Sequence, residues 1–255
     1  MIFSTPERLE SITSLVEQNR HISIGDVCQQ FSVSVATARR DLQALADQGK
    51  IQRVRGGAIA LRHAPPEPPA NRRRDLQVEE KRRIGRAAAD LVADGDTVLL
   101  GSSTTVLHVA QHLRTRRNLT VITNSIPVIN VFADVPEITV IVLGGVLRRS
   151  EMSLIGHLTE QSLRELRADK VIFGVRAVDP EQGFMNDYLP ETMTDREILS
   201  IGREVIIVAD HTKCNRIAPV LVAPLNAAQV LVTDTSAPAP FVAALEAQGL
   251  RVVQA

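Results

Sequence analysis

Cysteine is scarce in this 255-residue chain. Only Cys28 and Cys214 occur, too few for a disulfide scaffold. Cys28 falls on an apolar helical face and Cys214 in a loop, so both read as reduced thiols. Long apolar runs are missing as well: no stretch reaches the roughly 18 residues that span a bilayer. The opening MIFSTPERLE carries acid where a secretory signal needs base followed by an apolar segment. These absences lead to the expectation of a cytoplasmic protein without a membrane partner. Net charge is also lacking, with 29 basic side chains against 29 acidic ones.

That balance conceals a division. Residues 1–86 carry 15 basic and 10 acidic side chains, and residues 87–255 carry 14 and 19, so the two parts differ in sign. The basic charge gathers in Arg53, Arg55, Arg62, Arg72 to Arg74 and Lys81 to Arg83. A charge run is most often a solvated face, and it points to nucleic acid only alongside other signals. The texture changes at the same place. APPEPPA at 64–70 excludes helix and central strand, because proline removes backbone donors. The expected domains are 1–62, a linker 63–78, and 79–255.

In the first part, Thr5 and Pro6 open a helix with the stripe Leu9, Ile12 and Val16. A second helix begins near Ser23 and buries Ile24, Val27, Cys28 and Phe31 at helical spacing. Ser34 caps a third, whose inner stripe is Val35, Ala38, Leu42 and Leu45. Three short helices with a tight turn between the last two make a helix-turn-helix. Arg40 lies opposite that stripe, flanked by Ala36, Thr37, Gln43 and Ala44. Small residues around one long cation fit a major groove, where arginine can bond guanine O6 and N7 together. Arg39 fits a phosphate contact or an ion pair, and Asp41 an ion pair. Gly49 can end the helix, and KIQRVRGGAIAL then forms two β segments around a Gly56-Gly57 turn. Arg53 and Arg55, two apart, are expected to share one strand face, toward DNA phosphates or simply toward solvent.

After about Asp94, short β-rich runs alternate with helical ones: TVLLG, LTVIT, ITVIVLGG, KVIFGV, EVIIVAD, QVLVTD and LRVVQ. That alternation indicates an α/β domain with a mainly parallel sheet. TVLLG delivers the chain into Gly101-Ser102-Ser103-Thr104-Thr105 at a helix start, which suits either phosphate binding or simple N-capping. Other strand ends lead to Asn124 and Ser125, Gly144 and Gly145, Arg176, and Asp210, Thr212 and Lys213. Ligands of open α/β sheets gather outside the carboxyl ends of the strands, although each of these can be a plain turn residue. Lys213 supplies the charge a phosphate needs. No metal, cofactor or catalytic residue is expected.

ISIGDVCQQFSVSVATARRDLQALADQGKIQRVRGGA resembles the winged helix of the DeoR family of bacterial transcriptional regulators. The hallmark is VSxxTxRRDL, followed by a wing close to RVHGGA. By position the resemblance assigns Ser34, Thr37, Arg39 and Arg40 to the recognition helix, where Ala36 and Gln43 join them as the residues flanking Arg40. Arg53, Arg55, Gly56 and Gly57 fall in the wing, with Arg55 in place of a frequent histidine. VITNSIPV, VIVLGGVLRRSEMSLIGHL, ADKVIFGV, VIIVADHTKCNR and LVTD extend the likeness through the DeoR sensor domain. That domain is similar to ribose-phosphate isomerases and CoA transferases. The resemblance implies a repressor of sugar metabolism, bound to double-stranded operator DNA as a homo-oligomer and released by a phosphorylated sugar. Ser102 to Thr105 would hold the phosphate and Lys213 would assist. Gly101 stands where the family has an acid, Ser103 where it has glycine, and Arg176 where it has an acid or amide. In LPETMTDREIL, Glu191 and Arg196 match the family's pattern while Met193 and Asp195 do not. Two other functions stay open. An isomerase would use Asp210 and Lys213 for proton transfer, and a regulator could keep the second domain only for oligomerisation.

Overall fold

The computed structural model describes residues 5–19, 21–48, 50–60 and 68–255. Gly49, Arg62 and the linker residues 63–67 lie outside the described residues. The chain divides into two compact units, Met1–Pro65 and Pro66–Ala255.

The first unit contains α1 (Thr5–Asn19), β1 (His21–Ser23), α2 (Ile24–Phe31), α3 (Val35–Asp47), β2 (Ile51–Val54) and β3 (Gly57–Ala60). Ser23 caps α2 in a reciprocal box. Its hydroxyl accepts from the Asp26 N–H at 3.0 Å, and the Asp26 carboxylate accepts from the Ser23 N–H at 2.9 Å. Two helix-start donors are thereby satisfied. Ser32 turns left-handed at φ 52° to end α2, and the Ser34 hydroxyl caps α3 by accepting from the Thr37 N–H at 3.2 Å. The core is Ile12, Val16, Val27, Phe31, Ala38, Leu42 and Leu45.

Val35 departs from its expected place. At 51% exposure it lies off the buried stripe, and the inner face takes Asp41 instead, only 6% exposed. Arg8 of α1 meets that carboxylate with two donors at 2.7 and 3.2 Å, so Asp41 pins α1 to α3. The wing differs too. Val54 pairs with Gly57, so the loop is Arg55-Gly56 rather than Gly56-Gly57, with Gly56 at φ 87°. Gly57 opens β3 against β1, where a Cβ would lie 2.1 Å from the Ile22 carbonyl oxygen. This one-residue shift separates the arginines: Arg55 sits exposed in the loop, and Arg53 donates to the Gly57 carbonyl at 2.9 Å. The unit's sheet has the order β1-β3-β2.

In the second unit, α4 (Ala70–Arg73) and α5 (Val78–Ala89) precede seven parallel strands. These are β4 (Thr97–Leu100), β5 (Thr120–Thr123), β6 (Thr139–Val142), β9 (Ala168–Gly174), β12 (Gly202–Val208), β14 (Val230–Thr233) and β15 (Arg251–Gln254). They correspond to the seven β-rich runs of the sequence. The hairpin β7 (Val146–Arg148) and β8 (Ser153–Ile155) follows β6, and β10 (Ala177–Asp179), β11 (Gly183–Asn186) and β13 (Val220–Ala223) make a small antiparallel sheet. The helices are completed by α6 (Thr104–Leu113), α7 (Ile126–Phe132), α8 (His157–Arg164), α9 (Leu189–Ser200) and α10 (Ala239–Glu246).

Alternate strand residues feed two cores. Val98, Leu100, Ile172, Ile206 and Val232 pack with Ile84 of α5, Val106 and Val109 of α6, and Phe132 of α7. Leu99, Val171, Phe173, Ile207 and Leu231 pack with Leu163 of α8, Ile198 of α9 and Phe241 of α10. A parallel sheet is stable only when helices cover both faces, and these two cores supply that cover. The strand order is β15-β14-β12-β9-β4-β5-β6. The chain runs outward from β4 to β6, returns to place β9 beside β4, and then runs outward the other way. The carboxyl ends of β4 and β9 therefore flank the crevice where the order reverses, the place such sheets bind ligands.

Residues 70–78, read as linker from the sequence, belong to this unit. The Ala70 N–H donates to the Ser150 carbonyl at 2.8 Å, and α4 lies within the segment.

Candidate functional site

The exposed side of α3 carries Ser34, Ala36, Arg39, Arg40 and Gln43, with Thr37 partly covered. Arg40 points away from the buried Ala38, Asp41, Leu42 and Leu45. The Gln43 amide donates to Asp47 at 2.8 Å, and the Ser34 and Thr37 hydroxyls lie 3.0 Å apart. With Arg55 at the wing tip, this surface presents long cations beside small residues, the chemistry that enters a major groove.

At the reversal point of the second unit, β4 ends at Leu100 and Ser103 caps α6, its hydroxyl accepting from the Val106 N–H at 3.0 Å. Gly174 at the end of β9 makes room for it: a Cβ there would sit 2.3 Å from the Ser103 Oγ. Thr104 and Thr105 follow, both buried, in the first turn, where backbone N–H groups have no intrahelical acceptor. That arrangement attracts anions. Beyond β12, Asp210 caps a short 3-10 turn, His211–Lys213, accepting from both the N–H and the hydroxyl of Thr212. Asp234 steadies the same turn from β14. Its carboxylate accepts from the His211 N–H at 2.7 Å and lies 3.0 Å from Nδ1. Burial opposes its ionisation, but the hydrogen bonds from His211 and Ser236 outweigh burial and hold the carboxyl at about 2.

One cavity is lined by Ser103, Thr104 and Thr105, by Asp210, Thr212 and Lys213, and by Arg73, Leu76, Gln77 and Lys81. Sequence reasoning missed this last group. Lys81 read as part of a solvated charge run, yet it is 4% exposed, its ammonium donating to the carbonyls of Arg73 at 2.7 Å and Leu76 at 2.6 Å. Arg73, from the run Arg72 to Arg74, is buried too. It donates to the Pro68 carbonyl at 2.9 Å and pairs with Glu151.

A second cavity shares Arg73, Ser103 and Val175 with the first and adds Ser102, Gly174, Arg176, Arg148, Asn186, Asp187 and Glu191. Arg176 is buried, its Nε 3.5 Å from Asp187. Arg148 pairs with Glu191 and lies 4.3 Å over the Tyr188 ring. Burial lifts the Glu191 carboxyl to about 7 despite Arg148, with Glu151 adding to the rise. Burial, then Glu191, raises Asp195 well above the carboxylate range, although Asn186 donates to it at 2.6 Å. Position 101 has little room for a side chain: a Cβ on Gly101 would lie 2.7 Å from the Phe173 ring.

Asn124, Ser125, Gly144 and Gly145 line neither cavity. The Asn124 amide donates to the Leu154 carbonyl at 3.0 Å and Ser125 bridges to Ser153, so both tie β5 to β8. Gly144 accepts from the Thr159 hydroxyl at 2.6 Å, and a Cβ on Gly145 would lie 2.3 Å from that hydroxyl. These glycines shape the turn before β7.

Compared with known families, residues 8–64 match the DeoR-like helix-turn-helix domain and residues 76–235 the DeoR C terminal sensor domain. The chain belongs to the DeoR family. Its relatives include the HTH-type transcriptional repressor GlcR of Bacillus subtilis, 35% identical over 97% of this chain and 95% of its own. The glycerol-3-phosphate regulon repressor of Escherichia coli is 33% identical over 91% and 92%. The transcriptional repressor AccR of Agrobacterium fabrum is 32% identical over 92% of each. Among solved structures, a ribose 5-phosphate isomerase from Methanocaldococcus jannaschii superposes with a TM-score of 0.39 at 16% identity over 52% of each chain, too slight a likeness to bear on function. As a DeoR-family member the chain is a DNA-binding transcriptional regulator. Among the described residues, no helix is long and apolar enough to cross a membrane, and no group of His, Cys, Asp and Glu could hold a metal ion.

Proposed function

We propose that this DeoR-family regulator is a repressor whose α3 reads operator bases through Arg40, and which leaves the operator when a phosphorylated sugar binds at the start of α6. The observation that carries the reading is one cavity lined by Ser103, Thr104 and Thr105 at the start of α6 together with Lys213. Neutral donors and a cation around one point suit a phosphate better than any uncharged group. The adjoining cavity, with Arg176, Arg148 and Asn186, takes the rest of the ligand. Regulation is favoured over isomerase chemistry because Asp210, the nearest carboxylate to Lys213 in sequence, is engaged by Thr212 and caps its own turn. The names of the three relatives given above, each a repressor, support the same choice.

The repressor acts as a dimer or higher oligomer, since one winged helix covers one half-site. The sensor unit supports this: Val142 on the edge strand β6, Val146 in β7 and Leu158 in α8 are 49, 71 and 63% exposed, large apolar side chains of the kind found at interfaces. Thermal denaturation of the full chain with sugar phosphates tests the reading, because a ligand held only by the folded state raises stability as RT ln(1 + [L]/Kd). Lys213→Ala and Thr104→Val should abolish the shift. A normal shift in both variants would place the phosphate elsewhere.

A further inference from the structure

We infer that the effector site is completed by Lys81 and Arg73, so that the ligand clamps the strap of residues 68–81, the stretch that follows the linker in sequence. The inference rests on the phosphate reading of the α6 start and adds to it both further ligand-contacting groups and a route to the DNA reader. Three observations carry it. First, Lys81 lines the same cavity as Ser103, Thr104, Thr105 and Lys213 although it comes from the first helical turns of the second unit, and it is almost wholly buried there. A buried ammonium is costly in an apolar setting and needs polar groups around it. The two carbonyls it binds orient it at the cavity wall, where an anion in the cavity would sit against it. Its charge is felt on α6, where burial and then Lys81 hold His108 below the usual histidine range.

Second, the groups that orient Lys81 are the strap itself. Its ammonium bonds the carbonyls of Arg73 and Leu76, so one side chain joins the cavity to two points of the strap. Arg73 repeats the pattern, lining both cavities while donating to Pro68 at the start of the strap and pairing with Glu151. Third, Gln77, also in the cavity wall, is left-handed at φ 48°. A non-glycine residue keeps that conformation only where its surroundings fix it. An anion bound to Lys81 would tighten the bonds that hold the strap turn, and the DNA reader is tethered to the far end of that strap by the linker. The ligand thus has different affinities for two strap states, which is what coupling to DNA binding requires.

The test uses the full chain with glycerol 3-phosphate, glucose 6-phosphate, ribose 5-phosphate and inorganic phosphate. Hydrogen exchange is followed across residues 70–81 and across 102–107. Any compound that raises the melting temperature should slow exchange in both segments. In Lys81→Met, affinity for that compound should fall at least about tenfold, the 70–81 protection should vanish, and the release from operator DNA, roughly 5- to 150-fold in the parent for a typical coupling, should be lost. A compound that stabilises the parent and protects 102–107 but leaves 70–81 unchanged overturns the strap inference and spares the phosphate reading. So does a cooperatively folded Lys81→Met that keeps parental affinity. If no compound in the set stabilises the parent, the phosphate reading fails and the inference fails with it.

Discussion

Gly174→Ala tests the architecture of the effector site more sharply than any change to a side chain that would touch ligand. Gly174 ends β9, where its backbone is registered against Val208 of β12 and cannot withdraw. A methyl group there would meet the Ser103 Oγ at 2.3 Å and its Cβ at 2.6 Å, well inside contact distance. Alanine has no backbone objection, since Gly174 is not among the residues of positive φ. The strain therefore falls on Ser103, which must leave its capping position. Loss of an N-cap costs about 0.5–2 kcal/mol, and forcing an extra methyl into a packed site costs about 1–3 kcal/mol. A net destabilisation of roughly 2–4 kcal/mol lowers the midpoint of a unit this size by about 5–15 °C. The control is Gly144→Ala, where an added Cβ meets nothing within 4 Å and the backbone is ordinary. That variant should melt within about 2 °C of the parent and respond normally to effector. Differential scanning calorimetry of the three proteins, with and without a stabilising sugar phosphate, reads both effects. If Gly174→Ala melts like Gly144→Ala and still gains stability from ligand, Ser103 does not occupy the place described for it.

Other perturbations follow from single contacts. Arg40→Ala should cost about 1–3 kcal/mol on the specific operator and relax preference at one base pair, with little change on random DNA, in fluorescence anisotropy titrations; equal losses on both would reduce Arg40 to a phosphate contact. Asp41→Ala leaves Arg8 without its two-point partner. It should cost about 2–3 kcal/mol in urea unfolding, somewhat less than a fully buried pair because Arg8 keeps some water; a loss below about 0.5 kcal/mol would show that the pair does not pin α1 to α3. The Asp234 carboxyl, held at about 2 in the folded chain, is below its unfolded value near 3.9, so its contribution is complete above about pH 4 and disappears as pH falls through 2. Allowing for solvent screening, that contribution is on the order of 1–2 kcal/mol. Asp234→Asn should remove it at pH 7 and flatten stability between pH 4 and 2; an unchanged acid limb would dissociate Asp234 from the Lys213 turn.

The sequence made the framework legible because the framework follows from periodicity. Seven β-rich runs became the seven parallel strands, and the stripes of Val27 and Phe31 and of Ala38, Leu42 and Leu45 became the helix-turn-helix core. The motif GSSTT was visible as a helix start because serine before a helical stripe is a cap whatever else it does. What escaped detection depends on partners far apart in the chain. Lys81 sits among Glu79, Glu80, Arg82 and Arg83, and nothing local distinguishes the one buried ammonium from its solvated neighbours. Its burial is decided by the fold of residues 70–78, which the prolines just before them and their own run of arginines assign to a linker. Val35 left the inner face, while Asp41, read as an ion-pair residue at the edge of the stripe, was drawn onto that face because Arg8, more than 30 residues away, pairs with it there. The strands β1, β7, β8 and β10 have three residues each, too few to show a period. Asn124, Ser125, Gly144 and Gly145 do follow strands, as expected, but on the side where β5 and β6 meet the β7–β8 hairpin rather than at the crevice between β4 and β9.

The most direct measurement is the affinity of the full chain for an operator fragment, selected from random DNA by binding, with and without a sugar phosphate that raises its melting temperature. The parent should lose roughly 5- to 150-fold in affinity when saturated with that compound, and the compound should bind the DNA complex more weakly than the free protein by the same factor. Lys213→Ala and Thr104→Val should bind the operator as the parent does and ignore the compound. Parent and variants losing affinity alike, or a stabilising ligand that leaves operator binding unchanged, would contradict the assignment of the α6 cavity as the switch.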